Sequence, residues 1–217
     1  MDKPKQIINL EDVERAAVHT EPFPYAVIPN FIKSDYLSAL VNAFPDVSHR
    51  GSIPVSSATP NSLFQDFINE FEGSTLRDMI AQKFSIDLNE KPTMTTLRGY
   101  TSQKDGRIHI DSKDKLITVL LYMNSNWSSD EGKLRLLKNN HSLDDYVEEI
   151  SPLAGTCLIF KVTPNCWHGH KPFVGKRLSL QLNYLTHDVA LTKHLNQHRF
   201  SATIKRFFPW LFNRSYY

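Results

Sequence analysis

Side chains of the types that bind transition metals occur in two segments of the second half of the sequence. His109 and Asp111 are two positions apart, so both would project from one face of an extended segment. A third ligand is available in segment 165–170, which contains His168 and His170. Two imidazoles and one carboxylate suit Fe(II) and leave three coordination positions open, as an oxygenase requires for a chelating co-substrate and O2. The His-x-Asp pair alone occurs easily by chance in a chain with 9 His and 23 acidic residues.

A candidate anion-binding pair follows this segment. Arg177 lies nine residues after His168, and Ser179 shares its face of a predicted strand over 177–185. The opposite face of that strand carries Leu178, Leu180, Leu182 and Tyr184. A guanidinium fork beside a hydroxyl is a natural binding site for a carboxylate, whereas the alternative is a solvated strand face. We therefore expect a carboxylate to bind near the metal ligands.

The elements that would position these groups change type near residue 91. Before it, apolar residues recur at helical spacing in three stretches. These stretches run from Ser34 to Pro45, from Asn61 to Gly73 and from Leu76 to Phe84. After it, short β-type runs alternate with turn residues over 93–100, 115–123, 133–137, 157–162 and 177–185. Helices followed by strands predict an α+β fold with helices packed on an antiparallel barrel or sandwich.

Length and composition predict a single domain. The chain has 217 residues, 41% of them hydrophobic and 11% aromatic, which argues against disorder. No apolar run approaches the roughly 20 residues of a membrane-spanning helix, and the N-terminus lacks the apolar stretch of a secretory signal. Two cysteines are too few for a disulfide scaffold or a four-thiolate zinc site. We expect a soluble, cytoplasmic protein with a helical part at 1–90, a strand-rich core at 91–187 and a basic, aromatic tail at 188–217.

Charge is distributed unevenly along the chain. Residues 1–90 carry 7 Lys+Arg and 13 Asp+Glu, whereas residues 91–217 carry 18 and 10. The basic half could steer an anionic ligand into a cleft, or the two halves could pair their charges. Residues 191–217 combine five basic residues and no acidic residue with interleaved large apolar side chains. This pattern favours peripheral contact with a membrane or partner, or a segment folded back on the domain. No basic stripe interleaved with aromatics precedes this tail, so no nucleic-acid partner is expected.

A set of motifs between residues 93 and 185 occurs in an order and spacing typical of one enzyme family. The motifs are Tyr100, His109-Ile-Asp111, Thr118 to Tyr122 with Asn124 and Trp127, Gly132 to Arg135, Pro152 to Gly155, Phe160, Trp167-His168 and Arg177-Leu-Ser179. Together they resemble the iron(II)- and 2-oxoglutarate-dependent dioxygenases, in particular the prolyl-hydroxylase-like branch. The resemblance covers under half of the chain, and residues 1–90 share only the presence of helices ahead of the barrel.

The resemblance implies a double-stranded β-helix (jelly-roll) core with helices packed on it and Fe(II) bound at the open end. His109, Asp111 and His168 would be the metal ligands at the catalytic centre. We prefer His168 to His170 because the Trp-His pair and the nine-residue step to the following arginine match the family pattern. Whether His170 also contributes stays open.

The resemblance also implies a binding site for 2-oxoglutarate. Arg177 would pair with its distal carboxylate, helped by Tyr122 or Ser179. Tyr100 would line the co-substrate or substrate pocket. Some relatives use a lysine for this purpose, but alternation turns Lys176 to the opposite face of the strand.

The implied function is hydroxylation of an unactivated C–H bond with Fe(II), 2-oxoglutarate and O2, releasing succinate and CO2. A prolyl residue in a peptide or protein is the default acceptor, other small molecules stay open, and ascorbate could be required as well. The alternatives are a non-catalytic jelly roll that binds a ligand or partner, and a cupin-like metal hydrolase or isomerase. The joint presence of the three ligands and the Arg-Ser pair favours the oxygenase.

Overall fold

The structure, a computed structural model, describes residues 6–47, 51–189 and 191–192. Its helices are α1 (Leu10–Arg15), α2 (Ser34–Asn42), α3 (Ser62–Phe71) and α4 (Ser74–Lys83), with a 3-10 turn at Val55–Ser57. Its strands are β1 (Tyr25–Ile28), β2 (Ser52–Pro54), β3 (Thr93–Thr101), β4 (Lys115–Tyr122), β5 (Leu134–Leu137), β6 (Tyr146–Ile150), β7 (Cys157–Lys161), β8 (His168–Gly169) and β9 (Gly175–Leu185). Most of the predicted tail lies outside the described residues.

Two antiparallel sheets form the core. The larger sheet has the order β1-β7-β4-β9-β3-β2, and the smaller one has the order β6-β5-β8. In the larger sheet only β2 and β3 are neighbours in both sequence and space, so the chain crosses between strands as it does in jelly rolls. The predicted α+β fold with a jelly-roll core is confirmed.

The helices cover one face of the larger sheet with a continuous apolar core. Phe64, Phe67 and Phe71 of α3 belong to the same buried cluster as Leu180 and Leu182 of β9. This packing explains the helical spacing of the aromatic residues, because they share the face of α3 that contacts the sheet. The opposite face of the sheet meets the smaller sheet in a second cluster, which leaves a polar cavity between them.

Local capping decides where α3 begins. Asn61, the first residue of the second predicted stretch, caps this helix, since its side chain accepts the Phe64 N–H at 2.9 Å. Ser34, the first residue of the first predicted stretch, is already helical, and Lys33 occupies the cap position of α2 without a side-chain hydrogen bond. The Ser34 hydroxyl instead donates to Asp35 Oδ1 at 3.3 Å.

The part predicted as helical, residues 1–90, holds the four helices and also supplies two strands, β1 and β2. They form the two edges of the larger sheet. β1 has four residues and β2 three, which is too short for alternation to be distinguished from a loop. Among the described residues, no helix is long and apolar enough to cross a membrane.

Candidate active site

Two distant segments are joined by backbone hydrogen bonds at the candidate metal site. The His109 N–H donates to the His168 carbonyl, and the His168 N–H donates to the His109 carbonyl, each at 3.0 Å. This antiparallel bridge sets the two imidazoles side by side, with ring centroids 4.2 Å apart. Asp111 completes the group, because one ligand atom from each residue lies within 4.8 Å of the others. The structure thus brings together the three predicted ligands.

Both imidazoles are oriented by backbone carbonyls. His109 Nδ1 lies 2.9 Å from the carbonyl of Arg107, and His168 Nδ1 lies 2.8 Å from that of Cys166. A carbonyl only accepts, so each Nδ1 carries the proton and each Nε2 keeps its lone pair for a metal. Burial, together with the neighbouring His109, lowers the pKa of His168 to about 4. This imidazole is therefore neutral at pH 7, as a metal ligand must be.

The Asp111 carboxylate is contacted on both oxygens. Oδ1 lies 3.2 Å from Lys115 Nζ, and Oδ2 accepts a short hydrogen bond from the Thr118 hydroxyl. Burial alone would raise the pKa of Asp111, but Lys115, His168 and the Thr118 hydrogen bond outweigh it and hold the pKa below its usual value. Asp111 is thus a buried anion with a fixed orientation.

Arg177 is a buried cation without a carboxylate partner among the described residues. Its Nε donates to the Gly132 carbonyl at 2.9 Å, and its Nη2 donates to the Tyr122 hydroxyl at 3.2 Å. Only 4% of the residue is exposed, and no carboxylate of the described residues lies within the 4.0 Å of an ion pair. Because an unpaired buried charge is costly, this arrangement suits an anionic ligand. Ser179 is also buried on the same face of β9.

One cavity of about 280 Å3 connects the two groups. Its lining includes His109, His168, Arg177 and Ser179. Arg98 lines it as well and is paired with Asp105, with Nη1 3.2 Å from Oδ1. Burial lowers the pKa of Arg98, and Arg177 adds to this effect through charge repulsion, while Asp105 opposes it. The sequence analysis did not single out Arg98, since it belongs to no motif that could have marked it.

Two further candidate residues, Tyr100 and His170, do not belong to the group of three ligands. Tyr100 is 38% exposed and lines a separate cavity of about 560 Å3, together with Lys176. A register shift between Arg98 and Tyr100 accompanies this placement, because it pairs Tyr100 with Lys176, whereas the register of the preceding residues would pair it with Arg177. Tyr100 therefore does not line the cavity that His109 and His168 share, and its predicted place in a co-substrate or substrate pocket stays a prediction. His170 lines the smaller cavity but does not belong to the group of three ligands.

The site fits a ferrous ion and a dicarboxylate. It offers two imidazole nitrogens and one carboxylate oxygen on one side, which is the ligand set of non-haem Fe(II) oxygenases. It offers an unpaired guanidinium and the Tyr122 hydroxyl in the same structure. A cupin-like hydrolase has no need for this buried cation. Fold and site together define an Fe(II)-dependent oxygenase.

The sequence matches a model of a known family over the same region. Residues 95–185 match the 2OG-Fe(II) oxygenase superfamily. The match covers under half of the chain, and the members of that superfamily use Fe(II), 2-oxoglutarate and O2. No curated protein sequence matches the chain.

Solved structures with the same fold include several hydroxylases. A Pseudomonas putida prolyl-4-hydroxylase is 18% identical, with a TM-score of 0.53, and the match covers 82% of this chain and 97% of that one. A Trichoplax adhaerens prolyl hydroxylase, in complex with a hypoxia inducible factor peptide fragment, is 22% identical with a TM-score of 0.51, covering 74% and 83%. HygX from Streptomyces hygroscopicus, with nickel and 2-oxoglutarate bound, is 14% identical with a TM-score of 0.51, covering 74% and 81%. These matches support the jelly-roll fold.

Proposed function

We propose that this oxygenase hydroxylates a prolyl residue of a peptide or protein. His109, Asp111 and His168 would bind the ferrous ion. Arg177, with the hydroxyl of Tyr122, would bind the distal carboxylate of 2-oxoglutarate. One observation carries the assignment as a 2-oxoglutarate-dependent oxygenase. Arg177 is buried, has no carboxylate partner among the described residues and lines the same cavity as His109 and His168.

The roles of the protein's own groups follow from this geometry. When bound, Fe(II) supplies the one-electron and O2 chemistry that converts 2-oxoglutarate to succinate and CO2 and hydroxylates a C–H bond. His109 and His168 would supply their Nε2 lone pairs, while the Arg107 and Cys166 carbonyls keep the rings in the required orientation. Asp111 would supply the one negative charge of the ligand set.

The buried end of the cavity would set the position of the co-substrate. Arg177 is held by the Gly132 carbonyl and the Tyr122 hydroxyl, so its remaining N–H groups are available for a charge-assisted bond. Such a bond would fix one end of the dicarboxylate and direct its oxoacid end toward the triad. The reacting atoms would thus be held in position before the chemical step begins, and such positioning accelerates a reaction.

The acceptor would approach from the side of His109. His109 is exposed, whereas His168 and Asp111 are buried, so the metal site opens toward solvent at His109. The prolyl assignment is supported by the fold shared with two prolyl hydroxylases, one of them bound to a peptide fragment. We further propose a cytoplasmic location and ascorbate as an additional cofactor, with no nucleic-acid partner. The predicted surface contact of the tail concerns residues that lie largely outside the described part.

Replacing His109 or Asp111 by Ala tests the metal assignment. We expect each variant to lose Fe(II)-dependent succinate formation from 2-oxoglutarate by about a thousandfold, because metal affinity and catalysis both depend on the ligand set. His141→Ala and Asp130→Ala are the matched controls, since both residues are exposed elsewhere. Normal turnover in both ligand variants would remove these residues from the mechanism.

Matched peptides test the acceptor. Peptides that contain proline, and otherwise identical peptides with alanine in its place, are incubated with enzyme, Fe(II), 2-oxoglutarate and O2. We expect only the proline series to gain one oxygen atom by mass spectrometry and to stimulate succinate formation. Equal stimulation by both series, or modification of another residue, would contradict the prolyl assignment.

A further inference from the structure

Lys115 places an ammonium group directly beside the proposed metal carboxylate. Its Nζ lies 3.2 Å from Asp111 Oδ1, and its side chain is only 12% exposed. Its backbone N–H donates to the Ser112 carbonyl at 2.9 Å, in the turn that joins Asp111 to β4. The position of the ammonium group is therefore set by the fold. Nothing in the function proposed above requires Lys115.

The charges around the triad are unfavourable for a divalent cation on its own. Asp111 contributes one negative charge, and its two partner ligands are imidazoles. Lys115 and Arg177 each contribute a positive charge, and both are largely buried. Arg98 also lines the cavity, but Asp105 pairs with it. A metal ion bound here would add two positive charges beside Asp111, Lys115 and Arg177, which together already hold an excess of one.

We propose that Lys115 is a positioning residue that weakens metal binding in the absence of 2-oxoglutarate and makes firm binding depend on this dianion. The inference rests on the proposed role of Asp111 as a metal ligand. Lys115 acts through Asp111, because the ammonium and the metal share the charge of one carboxylate at short range, where few water molecules screen their repulsion. Two negative charges on the co-substrate offset this repulsion.

The consequence is a coupling between two ligands. If 2-oxoglutarate strengthens metal binding, metal must strengthen 2-oxoglutarate binding by the same factor. Direct contact between metal and co-substrate already contributes to this factor. Lys115 would enlarge it, so that the protein without co-substrate releases its metal readily.

Titration of the metal-free full chain with Mn(II), with and without 2-oxoglutarate, tests this inference by calorimetry. We expect Lys115→Met to bind Mn(II) alone about tenfold more tightly than wild type, since the repulsive charge is gone. The factor by which 2-oxoglutarate improves Mn(II) binding should fall by about the same amount. Lys115→Arg keeps the charge and should behave as wild type.

Lys113→Met is the matched control, because Lys113 lies exposed in the same turn and its replacement makes the same change in net charge. It should leave both affinities unchanged. Lys115→Gln provides a second neutral variant if Lys115→Met does not fold, and the same tightening is expected. Unchanged or weaker Mn(II) binding by the folded neutral variant overturns the inference. If His109→Ala leaves Mn(II) binding of the otherwise wild-type chain intact, the metal is not at the triad and the proposed function itself fails.

Discussion

The two faces of β9 are both buried, but they differ completely in chemistry. Leu180 and Leu182 face the helices within the main apolar cluster. Arg177, Ser179 and Asn183 face the smaller sheet and are 4%, 5% and 1% exposed. Burial of apolar groups stabilises a fold, whereas burial of polar and charged groups lowers stability unless they are paired. One strand thus serves stability on one face and ligand binding on the other.

Substitutions on the apolar face of β9 should have the largest effect on the free energy of unfolding. Leu180 is fully buried, so Leu180→Ala should lower the free energy of unfolding by about 2–5 kcal/mol. The affinity of the folded protein for 2-oxoglutarate should change by less than about threefold, because the deleted atoms face away from the cavity. Urea unfolding and calorimetric titration measure the two quantities. Lys176→Ala, on the exposed start of the same strand, is the control. A large loss of 2-oxoglutarate affinity would break the division between the faces.

Lowering the pH should reduce the stability of the protein through protonation of His168, which lines the cavity. Its pKa is lowered from 6.5 to about 4 in the folded protein, mainly by burial. The imidazole of His168 therefore binds its proton at higher pH in the unfolded chain than in the folded protein. The contribution of neutral His168 to stability is complete above pH 6.5 and is lost as the pH falls from 6.5 through 4. For this group alone the loss is about 3 kcal/mol.

Urea unfolding of the metal-free protein at pH 7 and pH 4 measures that effect. His168→Asn should show a decline in stability that is smaller than that of wild type by about this amount. Equal declines in the two proteins would mean that His168 does not titrate in this way. His141→Asn is the control, because His141 is exposed.

On the polar face, Arg177 should dominate co-substrate binding. Arg177→Met should raise the Kd for 2-oxoglutarate by about a hundredfold, since a buried charge pair would be lost. Mn(II) binding without co-substrate should change far less, because Arg177 is not one of the three grouped ligands. Lys176→Met removes the same charge from the neighbouring exposed position and should leave the Kd unchanged. An unaltered Kd in Arg177→Met would contradict the assignment.

Removing the Tyr122 hydroxyl should have a smaller effect than the changes above, and it should affect the Kd for 2-oxoglutarate. Tyr122→Phe deletes the hydroxyl that accepts from Arg177 and keeps the ring, over which the guanidinium carbon lies 5.0 Å from the centroid. We expect the Kd for 2-oxoglutarate to rise about fivefold, which corresponds to one ordinary hydrogen bond. Calorimetric titration of the Mn(II)-loaded variant measures this change. A loss as large as that of Arg177→Met would show that the ring position, rather than the hydroxyl, controls the site.

Much of the site could be predicted from sequence because its residues follow strong local rules. The alternation of β9 separated Arg177 and Ser179 from the leucines, and the structure keeps this separation. The His-x-Asp spacing and the family resemblance selected the three grouped residues. Their role as ligands stays a prediction that the variants above test.

The remaining contacts could not be predicted because they join distant segments. Thr118 contacts Asp111 and also Asn183, which lies 65 positions away. Arg98 reaches the cavity only through the pairing of β3 with β9. The strand partner of Tyr100 could not be predicted for a related reason, since one register shift between β3 and β9 pairs it with Lys176 instead of Arg177.

The central claim is that one cavity binds a metal chelator at the triad and a carboxylate at Arg177. It is tested most directly by calorimetric titration of the Mn(II)-loaded protein with 2-oxoglutarate, glutarate and 2-oxopentanoate. Glutarate lacks the oxo group, and 2-oxopentanoate lacks the distal carboxylate. We predict that 2-oxoglutarate binds at least about a hundredfold more tightly than either. Equal affinity for 2-oxopentanoate and 2-oxoglutarate would contradict the claim.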